Sequence, residues 1–129
     1  MQEPGTSPTF SEKWHRKFAD ATRGLRFALA NEISFSVHVP TALVVVLVAT
    51  WLRVSLIEWL VLVLCISSVF AAECFNTSIE RLARVVTAEE HPEVRNSLDV
   101  AAAAVLVVSI GAKIVWVAVL GSRAADLFT

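Results

Sequence analysis

Three runs of about twenty residues, 33–52, 57–75 and 100–120, each hold no more than two charged side chains. A helix rises about 1.5 Å per residue, so each run matches the ~30 Å hydrocarbon core of a bilayer. Few soluble architectures could accommodate them. The chain has 129 residues, 56% of them hydrophobic, against roughly 45–50% in an average soluble domain. Mean hydropathy is +0.65, and a fold this small has too little interior to hide so much apolar surface. The expected fold class is an all-α membrane protein with three transmembrane helices.

The flanking segments complete the layout. Residues 1–10, with Pro4, Gly5 and Pro8, read as a flexible tail, and 11–129 as one membrane domain. Residues 11–31 interleave Trp14, Phe18, Leu25 and Phe27 with Lys13, Arg16, Lys17, Arg23 and Arg26 at helical spacing. Such a basic amphipathic helix lies in the interface plane. Trp51 and Trp59 flank the first turn as interfacial aromatics do. Residues 80–97 form a polar loop outside the hydrocarbon. No apolar leader with a cleavage site occurs in the first ~30 residues, so the spans are expected to direct insertion. Cys65 and Cys74 fall on opposite faces of one helix, which excludes a bridge between them.

Net charge is −1, so no basic field points to nucleic acid as a partner. The distribution of charge is more informative. Five Lys and Arg lie in the surface helix and three in the polar loop, against Arg53 in the first turn and Arg123 in the tail. That bias places the N-terminus and the loop in the cytoplasm. Lys113, inside the third span, reads as a snorkelling side chain.

With this topology four acids reach the same bilayer face: Glu32, Glu73, Glu80 and Asp99. Glu73, Asn76 and Glu80 are spaced i, i+3 and i+7, within about 60° of each other around a helix. Carboxylates beside hydrocarbon are costly unless a cation joins them. Mg2+ fits an all-oxygen site that binds through one or two carboxylates plus substrate phosphates. A further carboxylate can then take the proton of a hydroxyl acceptor, here a membrane lipid alcohol. Asp99 is equally well explained as a complement to the dipole at the start of a helix. Glu73 is not, because it sits within the apolar run at the unfavourable C-terminal end. Two other readings use the same residues: a small ion-coupled transporter, and an oligomeric membrane protein without catalysis. Glu73 lies only a few residues from the polar loop, which favours phosphoryl transfer. No Gly-rich phosphate loop occurs, so metal and carboxylates would carry that chemistry alone.

The stretch 72–80, read as Glu73-Cys74-Phe75-Asn76-Thr77-Ser78-Ile79-Glu80 after Ala72, resembles the E-x-x-N-[ST]-[AS]-I-E signature of the small bacterial integral-membrane lipid kinases. Gly24-Leu25, Asn31-Glu32 with Phe35 and His38, Glu89 with His91-Pro92, and Asp99-Val100-Ala101-Ala102 are similar to the same diacylglycerol kinase and undecaprenol kinase family. The resemblance implies a homotrimer in the bacterial cytoplasmic membrane, with ATP as co-substrate and active sites shared between neighbours. By matched position, Glu73 would be the catalytic base, and Glu32 and Glu80 would hold Mg2+. Asn76, Asp99, Glu89 and His91 would lie at ATP.

Two positions depart from the family pattern. Leu98 stands where the family has a lysine that meets ATP phosphate, so Lys13 of the surface helix, Arg16 or Arg95 is the candidate replacement. Asp20 stands where an aromatic side chain would face the nucleotide. The acceptor is left open between diacylglycerol and undecaprenol. His38 and the His91-Pro92 pair look more like the undecaprenol branch, and His38 itself reads first as a hydrogen-bonded structural residue, with contact to the lipid headgroup as the alternative.

Overall fold

The computed structural model describes residues 9–86 and 91–127, and all regular structure among them is helical. Four helices follow in order: α1 (Phe10–Asn31), α2 (Phe35–Trp51), α3 (Leu56–Val86) and α4 (Pro92–Ala125). The chain divides into two compact units, one ending at Asn31 and the other beginning at Glu32.

The first unit is α1. Thr9 opens it with a reciprocal cap. Its backbone N–H and hydroxyl donate to Glu12 Oε2 at 2.7 and 2.9 Å, and the Glu12 N–H lies 3.4 Å from the Thr9 hydroxyl. Those two bonds, the backbone one first, hold the Glu12 carboxyl below the usual carboxylate range. Phe10, Trp14 and Phe18 stack one turn apart, with ring centroids separated by 6.1 and 5.9 Å. The Lys17 ammonium sits 5.1 Å above the Trp14 ring, a cation–π contact. Asp20, where an aromatic residue was expected, pairs with Arg23 at 2.7 Å.

In the second unit α3 and α4 pack together and α2 packs on both. α2 tolerates Pro40 in its interior. The hydroxyls of Ser36 and Thr41 donate to the Ile33 and Val37 carbonyls at 2.6 and 2.7 Å, back-bonds to the preceding turn that satisfy hydroxyls in an apolar helix. The helix ends in a Schellman motif. Val54 N–H donates to the Ala49 carbonyl and Arg53 N–H to that of Thr50, both at 3.2 Å, with Arg53 in the left-handed region at φ 52°. Ser55 then starts α3 with a second capping box, its N–H and hydroxyl both 2.6 Å from Glu58 Oε2.

That turn is the packing centre. Val45, Ala49, Leu52, Val54 and Leu62 are buried together, and Trp59, Ile66, Trp116 and Leu120 close around them. Arg123, in the last turn of α4, grips Glu58 with Nε at 2.9 Å and Nη2 at 2.7 Å. The turn is thereby fastened to the far end of α4.

Length departs from expectation in two places. α3 has 31 residues and α4 has 34, about 46 and 51 Å at the helical rise. Both exceed a bilayer core, and each is apolar enough to cross one. The segment 80–97 is therefore helical at both ends and not a loop throughout. Hydropathy reports which side chains prefer lipid, whereas the backbone ladder continues into water wherever nothing interrupts it. Pro92, at the first helical position, and His91 at the cap mark the restart. α2, by contrast, has 17 residues, about 25 Å. Leu47, Leu64, Leu106 and Val117 stand exposed on the helices, the surface a protein gives to lipid or to another chain.

Candidate functional site

The buried residues of α3 are Leu62, Val69, Glu73 and Thr77. At 100° per residue these four share one stripe, so Glu73 occupies a position that packing would give to a leucine. It is 3% exposed. The facing residues of α4 are small, with Ala101, Ser109 and Ala112 buried, and small side chains let helices approach closely.

Glu73 meets α2 through His38, whose Nε2 lies 2.8 Å from Glu73 Oε1. One turn earlier on both helices, Phe35 packs edge to face on Phe70 with centroids 5.5 Å apart. A second polar link joins the same elements: Glu32 Oε1, just before α2, accepts from Arg81 Nη2 at 2.7 Å and Nε at 3.1 Å. Glu80 takes the Asn76 Nδ2 at 2.7 Å and lies 3.6 Å from Arg84. The Asn76 Oδ1 is buried and has no donor among the described residues. A buried amide oxygen without a partner is uncommon and suits a cation or a ligand N–H.

The expected residues thus fall into groups. Glu32, Glu73, Asn76 and Glu80 belong to the ends of α2 and α3 that lie away from the tight turn. Asp99 is exposed on α4, and His91 is exposed with its Nδ1 accepting from the Glu93 N–H at 3.2 Å. Lys13 stands on α1, in the separate unit, with Phe10, Trp14, Arg16 and Lys17 around it. Glu89 lies outside the described residues. Among the described residues no three His, Cys, Asp or Glu side chains gather as a set able to hold a metal ion. The four acids are therefore not one cluster within a chain. Repulsion between carboxylates is relieved in the folded chain by giving Glu32, Glu73 and Glu80 separate partners.

Two of those partners were not anticipated. Arg81 read as part of a solvated loop, yet it crosses to Glu32, 49 residues away. His38, expected to be a hydrogen-bonded structural residue, has Glu73 as its partner. A cation on α3 one position beyond Glu80 was the available signal for the first.

Comparison with known proteins gives this architecture a family. Residues 19–120 match the model of the prokaryotic diacylglycerol kinase family. The undecaprenol kinase of Bacillus subtilis is 31% identical over 98 residues, covering 76% of this chain and 80% of the relative. The diacylglycerol kinase of Escherichia coli K12 is 33% identical over 101 residues, 78% of this chain and 83% of the relative. That of Helicobacter pylori is 34% identical over 94 residues, with 72% and 73% covered. An all-helical membrane chain that matches over this length belongs to the prokaryotic diacylglycerol kinase family, a family of membrane-bound lipid kinases.

Proposed function

We propose that this chain is a lipid kinase that moves the γ-phosphoryl group of ATP to the hydroxyl of diacylglycerol or undecaprenol. The observation that carries the reading is Glu73, a carboxylate on the packed stripe of α3 at 3% exposure, where burial is costly unless the group has work to do. Glu73 takes the proton of the lipid hydroxyl as that oxygen attacks the γ-phosphorus. The new O–P bond forms while the bond to the bridging oxygen breaks, and ADP leaves with that electron pair.

By chemistry these oxygens suit Mg2+, a hard cation that takes oxygen ligands, once Glu32 and Glu80 turn to it from Arg81 and Arg84. Glu32 and Glu80 would hold it, and the orphaned Asn76 Oδ1 beside Glu80 is a further oxygen aimed at no donor. When bound, the ion would neutralise charge on the phosphates. Asn76, Asp99, Glu89 and His91 are assigned to the nucleotide. The capping bond of His91 Nδ1 leaves its Nε2 for that contact. With Leu98 in place of a lysine, phosphate charge falls to Lys13, Arg16 or Arg95.

In this reading α2, α3 and α4 are three spans, with the N-terminus and the site on the cytoplasmic side of the bacterial inner membrane. The lysine and arginine bias supports that orientation. The chains assemble as a homotrimer, and their exposed apolar faces are shared between lipid and neighbours. The test is purified protein in vesicles with labelled ATP and Mg2+, offered diacylglycerol or undecaprenol in parallel. Label in one extracted lipid supports the proposal and names the acceptor, and label in neither overturns it.

A further inference from the structure

We infer that His38 is a positioning residue, which fixes one oxygen of Glu73 so that the other is presented to the lipid hydroxyl. This rests on the reading of Glu73 as the base. His38 Nε2 and Glu73 Oε1 are 2.8 Å apart, within ion-pair distance, and two lone pairs that close would repel, so the nitrogen that meets the carboxylate is one that carries hydrogen. An ionised carboxylate only accepts, which makes the imidazole the donor in the state ready for catalysis. Oε1 is thereby engaged, and Oε2 is the oxygen left for substrate.

A glutamate needs this help because of where it sits. Its carboxyl turns about flexible torsions, whereas catalysis needs the oxygen held within a fraction of an ångström. The imidazole is itself held. His38 follows by one turn from Phe35, which is 1% exposed and seated on Phe70. That contact sets the face α2 turns toward α3, and His38 and Glu73 lie on those same two faces. Among the described residues His38 is also the one cation-capable side chain within ion-pair distance of Glu73. Arg81 and Arg84, the nearest cations along α3, are engaged by Glu32 and Glu80.

The test uses the full chain in lipid vesicles with labelled ATP, comparing H38A, H38Q and H38N with wild type and with E73Q. A misplacement of about 1 Å costs on the order of 100-fold, so H38A should lose about 10- to 100-fold in kcat while KM for ATP stays within about twofold. The glutamine amide nitrogen reaches where Nε2 stands, and the asparagine amide falls short. H38Q should therefore regain most of the loss and H38N little. Thermal unfolding of each variant in detergent separates this from a fold defect, since a purely structural histidine would lower stability without that ordering of kcat. Wild-type kcat in H38A, or equal loss in H38Q and H38A, overturns the inference while E73Q stays inactive. Wild-type turnover in E73Q instead removes the base assignment beneath it.

Discussion

The two ends of the α2–α3 pair are built on opposite rules. At the Leu52–Ser55 turn the apolar residues are packed, the helix ends are capped, and Glu58 is bound by both Ser55 and Arg123. At the other end an acid occupies a leucine position, and an amide oxygen is buried without a donor among the described residues. Satisfied polar groups and dense packing serve stability, while a costly carboxylate left in the packed stripe is what a catalytic site retains. The proposed chemistry uses the end where the rules are broken.

The sharpest way to break this contrast is Glu73→Gln. General-base loss costs typically about 10²–10⁴-fold, so label in extracted lipid should fall by that much with the melting temperature held. A fall in stability of the same protein would make Glu73 a structural residue after all. The companion change sits at the other end. Leu62, fully buried in the turn cluster, should lose toward the lower part of about 2–5 kcal/mol as Leu62→Ala, because lipid replaces water as the alternative surrounding. Denaturation in detergent measures this, and kcat of the folded fraction should be unchanged.

Smaller effects probe the fastenings. Arg123→Ala frees Glu58 from its bidentate partner and should lower the melting temperature by a few degrees without touching KM for ATP. An altered KM would connect the turn to the site and dissolve the contrast. Smallest is Arg53→Gly. Arg53 holds the left-handed position of the Schellman motif at φ 52°, where a side chain costs about 1 kcal/mol that glycine avoids. Stability should rise by less than that, since glycine also gains freedom in the unfolded chain.

Particular residues show how far reading the chain can go. The apolar runs located all three helices of the second unit, because lipid selects side chains by a rule that acts on each residue alone. The same rule failed at residues 81–86 and 92–97, where helix continues although charged side chains interrupt the apolar run. Ser55 followed three residues later by Glu58 is a capping box written plainly in the chain, and so is Thr9 with Glu12. The link from Arg81 to Glu32 is written nowhere, because 49 residues of chain must first fold back.

The amino-acid order by itself determined that this protein is helical, that it belongs in a bilayer, and that Glu73, Asn76 and Glu80 share a helix face. Those properties depend on local periodicity and on transfer from water to hydrocarbon, both set within a few turns. Only the tertiary structure decided which acid is buried, that Glu73 stands against His38, and that Glu32 and Glu80 take separate arginines. Pairings of that kind depend on the crossing of α2 over α3, a geometry fixed by packing across the whole helix pair and by no single segment of it.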